Sequence, residues 1–386
     1  MTDTVTPTSP STITSALAAG AGLAAAVGVG RFAYTPLMPA MVDAHRIDAH
    51  EGALIAAANY AGYLAGAMLA RRPDLNSRTI FRLAAATLVV SQALLAVPAP
   101  AMLCGVLRLI AGIASAVLFV GCAGAIARLD GHRHAAGIAF GGVGIGIAST
   151  GLLALAARPV LPWQALWLGA AGLTAVLLLA SLGLDIHPGH QAAETSGRPR
   201  STRAWRALLV AYCLEGVGYI VIGTFLVAAV GAHNGPTVGS AMWVIVGAAA
   251  ATAMLWGMAA RRWTPAAALV VALLAQCLSA ALPAVSTAIL PAALCAALFG
   301  GTFMGITMLA IRVGTELSDH RAAATLTAGY GSGQMLGPLV VAPLVGDGYT
   351  VAFVIATVVL IAATAAAAIV VTELRRGTNR RSSLEA

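Results

Sequence analysis

The sequence predicts an all-α polytopic membrane protein in which 12 transmembrane helices form two six-helix pseudo-repeats. Three observations predict this fold: the composition, the number and length of the apolar segments, and an internal duplication. Hydrophobic residues make up 59% of the 386 residues and charged residues only 9%, and the mean hydropathy is +0.88. A soluble globule of this size cannot bury that much apolar surface, so the composition indicates a membrane protein.

Apolar segments of about 20 residues, the length that crosses roughly 30 Å of hydrocarbon, follow one another along the whole chain. They are rich in Ala, Leu and Gly and do not alternate with period two, which favours helices over barrel strands. The predicted transmembrane segments 1 to 12 cover residues 13–42, 50–70, 79–97, 100–127, 135–157, 163–184, 205–231, 237–260, 265–285, 288–311, 322–345 and 349–372.

The arginines predict the orientation. All 22 basic residues are arginines, and with a cytoplasmic N-terminus 18 fall in inside segments while two, Arg46 and Arg158, fall outside. This asymmetry predicts a multi-pass protein of the cytoplasmic (inner) membrane with both termini in the cytoplasm. The positive net charge then reflects topology and anionic lipids, so we expect the lipid bilayer, and no nucleic acid, as a partner. Residues 1–30 lack a basic residue, so the first segment is expected to stay in the protein rather than to be removed as a signal peptide.

An internal duplication divides the chain in two. A shift of 188 residues places Gly28 on Gly216 and aligns three further sites, at Gly112 and Gly300, His132 and His320, and Gly141 and Gly329. We therefore expect an N-terminal six-helix bundle in residues 1–186, a cytoplasmic linker in 187–203 and a C-terminal six-helix bundle in 204–386. A parallel repeat of this kind predicts a substrate site near the membrane midplane and alternating access.

Three charged residues lie deep in the predicted segments. Counted along the helix, Arg31 lies about 16 Å from the outer end of segment 1, Glu215 about 15 Å from the inner end of segment 7, and Arg108 about 12 Å from the outer end of segment 4. Charges at this depth are costly and are usually functional. The structural alternative is an ion pair, or an arginine whose side chain extends towards the interface.

The chemistry of these residues predicts their roles. Arginine keeps its charge and its planar fork fits carboxylates and phosphates, so Arg31 is expected to bind an anionic or zwitterionic small-molecule substrate or to be the counter-charge of Glu215. Glu215 is the only acid deep in a segment and is the candidate proton-coupling residue. Further substrate-binding candidates are polar or aromatic side chains, for each of which interhelical hydrogen bonding is the competing interpretation: Tyr34, Thr35, Asn59, Tyr63, Tyr219, Thr302 and Gln334.

Other patterns do not add up to a catalytic, cofactor or metal site. The outer loop at residues 43–51 has metal-ligand residue types but no closed set of ligands, and Asp48 with Glu51 predicts a capping box. Gly142 and Gly146 predict close helix packing rather than a dinucleotide loop. The five cysteines are expected to be unpaired hydrophobic residues. We therefore expect no enzyme activity, no metal and no cofactor.

Several motifs resemble the major facilitator superfamily. Arg108-Leu-Ile-Ala-Gly112 is similar to its RxxxG motif. The loops Gly66–Arg72 and Gly257–Arg262 resemble a degenerate form of its GxxxD(R/K)xGR(R/K) signature, in which Ala70 replaces the aspartate. Three longer strings resemble the YbfB/YjiJ branch: GVGRFAYTPLMP at Gly28–Pro39, EGVGYIVIGTFL at Glu215–Leu226 and GQMLGP at Gly333–Pro338.

The resemblance covers nearly the whole chain and implies a function. In this superfamily, segments 1, 4, 7 and 10 line a central cavity, and the arginine of the RxxxG motif is linked to proton coupling, which here implicates Arg108. We therefore predict a monomeric secondary active transporter that moves a small organic solute by alternating access and is coupled to protons. The alternative is a polytopic membrane enzyme or lipid-handling protein without transport activity. No GxxxxGK[ST] sequence occurs, which argues against a built-in ATP pump.

Overall fold

The computed structural model describes residues 10–70, 72, 77–129, 132–186, 201–317, 322–345 and 348–385. Over these residues the chain is helical and forms no β-strand. The α-helices are α1 (Pro10–Leu23), α2 (Tyr34–Asp43), α3 (Ala49–Leu69), α4 (Arg78–Leu94), α5 (Ala101–Ala127), α6 (His132–Ala157), α7 (Trp163–Ser181), α8 (Thr202–Asn234), α9 (Pro236–Ala250), α10 (Leu255–Arg262), α11 (Pro265–Val285), α12 (Ile289–Leu317), α13 (Ala322–Val341) and α14 (Thr350–Glu385).

Each predicted segment is occupied by helix. Segment 1 consists of α1, a π-helical turn at Ala24–Val29 and α2, and segment 8 consists of α9, a 3-10 turn at Ala251–Met254 and α10. Within the described residues, nine helices are long and apolar enough to span a membrane, or ten if α9 and α10, which meet at 49°, form one span. The other two segments, α4 with 17 residues and α13 with 20, are not among these candidate spans.

The described residues belong to two compact units. The first comprises Met1–Ile47 and Ala58–His190, and the second comprises Asp48–Ala57 and Gln191–Ala386. Most of the linker predicted at 187–203 lies outside the described residues. The boundaries of the two predicted bundles therefore stay a prediction.

In the first unit, α1 and the π-helical turn pack against α6 and α7. Glycines allow this contact: a Cβ on Gly142 would collide with the backbone of Gly20, and a Cβ on Gly28 would lie 2.6 Å from the Cα of Gly146. Small residues let two membrane helices approach backbone to backbone. The predicted packing role of Gly142 and Gly146 is confirmed.

In the second unit, α8 is the central helix and packs against α9, α11, α12, α13 and α14. Its contact with α13 again depends on glycine, because a Cβ on Gly333 would collide with the backbone of Cys213 and a Cβ on Gly216 would lie 2.6 Å from the carbonyl oxygen of Tyr330. Gly216 is the repeat counterpart of Gly28. Both units therefore use glycine to pack their first helix on their fifth.

Two local expectations can be compared with the structure. The amide of Glu51 donates to Oδ1 of Asp48 (2.7 Å) and the amide of Asp48 donates to Oε2 of Glu51 (3.0 Å), so the predicted capping box at the start of α3 is confirmed. All five cysteines are free, and all except Cys213 are buried.

Candidate functional site

Segment 1 departs from a regular α-helix where Arg31 lies. The backbone is π-helical over Ala24–Val29 and turns over residues 30–33 before α2 begins. The amide of Gly30 bonds to the carbonyl oxygen of Ala25, five residues earlier, at 2.7 Å. This wider turn shifts the helical register, so side chains three or four residues apart no longer share one face. The sequence pattern did not predict this irregularity.

Arg108 occupies the gap in backbone hydrogen bonding at this break. Its Nη1 donates to the carbonyl of Gly30 (2.8 Å) and its Nη2 to the carbonyl of Arg31 (2.7 Å), and the side chain is buried. Pro36 has no N–H, and the amide of Thr35 bonds three residues back instead of four, which leaves the Arg31 carbonyl without its usual helical donor. The planar guanidinium matches two successive carbonyl groups.

Asn59 and Gly112 hold the helix that carries Arg108. Nδ2 of the buried Asn59 donates to the carbonyl oxygen of Arg108 at 2.7 Å. A Cβ on Gly112 would collide with the backbone of Asn59, so α5 lies directly against α3. The structure thus gives Asn59 an interhelical hydrogen bond and gives Arg108 contacts with the backbone around Arg31. The predicted substrate-binding role of Asn59 and proton-coupling role of Arg108 stay predictions.

The side chain of Arg31 lies among aromatic rings. Its guanidinium carbon is 4.3 Å from the ring centroid of Tyr63, 5.0 Å from that of Tyr60 and 5.5 Å from that of Phe32. The residue is only 5% exposed. Cation–π contacts stabilise a buried cation without neutralising its charge. Arg31 therefore remains a positive charge whose fork of donors suits an anionic group.

Tyr34 and Thr35 are both buried at the start of α2. The ring of Tyr34 lies 5.2 Å from the guanidinium carbon of Arg108 and 6.3 Å from the ring of Trp167. Tyr34 therefore packs against Arg108.

In the second unit, Glu215 is fully buried near the middle of α8. Its Oε1 accepts a hydrogen bond from Nε2 of Gln276 on α11 at 2.9 Å, whereas its Oε2 is buried without a hydrogen-bond partner among the described residues. Within the described chain, Glu215 forms no ion pair. Thr302 on α12 donates to Oε1 of Gln276 at 3.0 Å. Glu215 is thus bonded directly to Gln276 and is linked through it to Thr302.

Tyr219, one turn after Glu215, belongs to a set of stacked aromatic rings. The closest pair is Tyr212 and Tyr330, with centroids 4.5 Å apart and planes inclined by 6°. The ring of Tyr219 lies within 5.8 Å of those of Phe299, Phe303 and Tyr330. Gln334 is buried on α13. The structure therefore joins Glu215 and Thr302 through Gln276 and places Tyr219 on an aromatic surface of the same unit.

The sequence analysis missed several residues of these clusters, among them Gln276, Tyr60 and Trp167. A usable signal existed for Gln276, because a lone glutamine in the middle of a 21-residue apolar helix must find a polar partner. Tyr60 and Trp167 are ordinary residues of membrane helices. Only the three-dimensional contacts identify them.

The fold is that of major facilitator superfamily transporters. A crystal structure of the nucleoside transporter NupG superposes with a TM-score of 0.70 and 16% identity over 92% of this chain and 98% of that one, and its D323A mutant with 0.72 and 14% over 92% and 99%. A bacterial homologue of the human lysosomal transporter Spinster, inward-facing and unoccupied, superposes with 0.69 and 14% over 94% and 97%. At these identities the likeness shows the fold alone. The predicted fold class is confirmed.

The chain belongs to the family described as "Uncharacterised MFS-type transporter YbfB", whose sequence model matches residues 23–372. A comparison with curated proteins found no match. The protein is therefore a multi-pass membrane transporter of this family, which implies a small-molecule substrate. The predicted resemblance is confirmed, and the family favours transport over the alternative of an enzyme or lipid-handling protein.

Proposed function

We propose that this transporter is a secondary active carrier that moves a small anionic or zwitterionic solute by alternating access and couples this movement to protons. In this proposal Arg31 binds the solute and Glu215 carries the proton. The protein acts as a monomer in the cytoplasmic membrane, with both termini in the cytoplasm, as the arginine distribution favours.

The environment of Glu215 is the observation that carries the proposal. An ionised carboxylate buried in a helix bundle needs a cation or several hydrogen-bond donors, because its desolvation is costly. Glu215 has one neutral donor at one oxygen and none at the other within the described residues. Such a group is stable as a neutral acid and becomes an anion when water reaches it. A carrier that alternately exposes and buries this group takes up and releases a proton.

Arg31 supports the choice of substrate class. Its charge is stabilised by the faces of aromatic rings, mainly those of Tyr60 and Tyr63, and its guanidinium is a planar fork of hydrogen-bond donors. A carboxylate or phosphate on the solute matches that fork in charge and geometry. The structural neighbour NupG is named as a nucleoside transporter, so neutral nucleosides are the competing class of substrate to test.

The test begins with a thermal-stability screen of the purified protein against amino acids, carboxylic acids, nucleotides and nucleosides. A solute that binds the folded protein raises its melting temperature by mass action. The solute that does so is then used in reconstituted vesicles with an imposed pH gradient, for the wild type and for Glu215→Gln. The glutamine keeps the size of the side chain but cannot titrate. We expect exchange of solute across the membrane to persist in this variant and accumulation driven by the pH gradient to be lost.

The matched control is Glu316→Gln, because Glu316 is a half-exposed acid paired with Arg312 at the end of α12. This variant is expected to accumulate solute like the wild type. Accumulation by Glu215→Gln at the wild-type level would show that Glu215 is not the proton site.

A further inference from the structure

Gln276 lies between Glu215 and Thr302, each near the middle of its own helix. Nε2 of Gln276 donates to Oε1 of Glu215 (2.9 Å), and Oε1 of Gln276 accepts from the hydroxyl of Thr302 (3.0 Å). All three side chains are no more than 2% exposed. The hydroxyl of Thr302 also lies 2.7 Å from the carbonyl oxygen of Leu298, one turn earlier in α12. It also lies 3.3 Å from the carbonyl oxygen of Phe299, so this single hydroxyl hydrogen has three acceptors within reach.

In the arrangement as described, Glu215 acts only as an acceptor, which is the role that an ionised carboxylate can play. The amide group of Gln276 donates to the carboxylate, and Thr302 donates to the amide oxygen. Rotation of the amide by 180° about its last bond exchanges oxygen and nitrogen at nearly the same positions, since the two ends of the group have similar size and shape.

The rotated arrangement fits a protonated Glu215. The acid then donates its O–H to the amide oxygen of Gln276, and the amide nitrogen donates to the oxygen of Thr302. The hydroxyl hydrogen of Thr302 turns to the carbonyl of Leu298, which is already at hydrogen-bond distance. Gln276 and Thr302 have hydrogen-bond partners in both arrangements. The two arrangements differ in composition by one proton, which Glu215 takes up from water.

We propose that Gln276 and Thr302 form a reversible hydrogen-bond switch that stabilises Glu215 in both its ionised and its protonated form. The inference rests on the proposed role of Glu215 as the proton site. In it, Gln276 and Thr302 are positioning residues that act through Glu215. The switch lets one buried acid change its charge while Gln276 and Thr302 keep hydrogen-bond partners and Oε1 of Glu215 keeps its bond to Gln276, which a hydrophobic neighbour could not do.

The titratable side chains in the middle of the surrounding helices do not explain a titration in the acidic to neutral range. In the middle of α8, α11, α12 and α13 they are tyrosines and cysteines, whose ordinary pKa values lie above that range: Tyr212, Cys213, Tyr219, Cys277, Cys295 and Tyr330. The exposed His233 lies in the last turn of α8, far along the helix from Glu215. The other charged side chains of the described helices around Glu215 also lie towards the helix ends: Arg203, Arg206, Arg312, Glu316, Glu373, Arg375 and Arg376. Helices α9, α11 and α13 carry none.

The test is a pH titration by infrared difference spectroscopy of the full-length protein in vesicles of phosphatidylethanolamine and phosphatidylglycerol, with protons as the only ligand. Subtracting the spectrum of Glu215→Gln isolates the carboxyl band of Glu215. In protein made with glutamine carrying a ¹³C side-chain carbonyl, subtracting Gln276→Met isolates the amide band of Gln276. We expect this amide band to change with the same midpoint as Glu215. An amide band that stays constant while Glu215 titrates overturns the switch.

The variants give a second, independent measurement. Gln276→Met keeps the volume but removes both hydrogen bonds to Glu215. The bond to the ionised form is charge-assisted and roughly twice as strong as the neutral one, so its loss shifts the midpoint of Glu215 upwards by about one pH unit. An unchanged midpoint overturns the proposal. Thr302→Val removes only neutral partners and is expected to move the midpoint less, and Thr302→Ser is expected to restore the wild-type spectra.

Because no solute is needed, the titration is independent of the transport assay. If the Glu215 band titrates while the Gln276 band stays constant, Glu215 is retained as the proton site and the proposed switch is rejected. If Glu215→Gln still accumulates solute, the proton site fails, whatever Gln276 does. A Glu215 that does not titrate at all removes both.

Discussion

The two units are built on one duplicated frame but use opposite polar chemistry at their first helices. In the first unit, Arg31 and Arg108 are fixed positive charges, stabilised by aromatic rings and by backbone carbonyls. In the second unit, Glu215 can lose its charge and its partner is a neutral glutamine. The 188-residue shift places Arg31 on Tyr219, so the position that holds a cation in one unit belongs to an aromatic surface in the other.

This difference teaches where a duplicated protein can diverge. The glycine contacts between the first and fifth helices are kept in both units, since a Cβ at Gly28 or Gly216 would meet a neighbouring backbone. The side chains close to these glycines differ, since Arg31 corresponds to Tyr219 and Glu215 corresponds to Val27. Duplication has thus kept the packing and separated a permanent charge from a titratable one, and the following variants test whether that separation has functional meaning.

The largest effect is expected for Arg31→Ala. If Arg31 binds the solute, this variant loses both exchange and gradient-driven accumulation, whereas Glu215→Gln loses only accumulation. Arg31→Lys is expected to restore little, because an ammonium lacks the planar two-pronged geometry. Transport by these variants and the wild type is measured in reconstituted vesicles. Yield and melting temperature show whether each variant is inserted and folded. Normal transport by a folded Arg31→Ala protein removes Arg31 from the site.

Next comes Arg108→Ala, for which we expect a loss of stability. It leaves two buried carbonyl groups without donors, each costing about 1–3 kcal/mol, so the free energy of unfolding should fall by about 2–6 kcal/mol. Unfolding in detergent micelles measures it, with Arg78→Ala as the control because Arg78 forms an exposed ion pair with Asp185. A stable Arg108→Ala protein would mean that the break in segment 1 does not depend on this arginine.

Sequence reasoning singled out Arg31, Arg108 and Glu215 as candidates because a charge in an apolar segment stands out whatever surrounds it. It also located the helical segments, since helix length and hydropathy are local properties. The break in segment 1 escaped it, because the buried carbonyl of Arg31 receives its hydrogen bond from Arg108, 77 residues away along the chain. The partner of Glu215 escaped it for the same reason, since Gln276 is 61 residues distant. Contacts of this kind are set by tertiary packing.

A smaller effect is expected for Gly142→Ala, which tests the packing that the two units share. The new methyl group would meet the backbone of Gly20 and force α6 away from α1, at a cost of about 1–3 kcal/mol. Gly141→Ala is a closely matched control on the same helix, since a Cβ there has nothing within 4 Å. Thermal unfolding in micelles measures the stability of both variants. Equal stability of the two would show that the close contact between α1 and α6 is dispensable.

The smallest effect is expected at Tyr63, whose ring gives Arg31 its closest cation–π contact, 4.3 Å from the guanidinium carbon. Tyr63→Phe keeps the ring face and should leave the apparent affinity for solute nearly unchanged. Tyr63→Leu keeps an apolar side chain without the ring and should weaken it by about 0.5–2 kcal/mol, roughly two- to thirty-fold in KM, because Arg31 is held less firmly. Concentration-dependent uptake by both variants measures this difference. If leucine and phenylalanine behave alike, the ring only fills space, and the fixed charge of the first unit is stabilised by Tyr60 and the surrounding backbone instead.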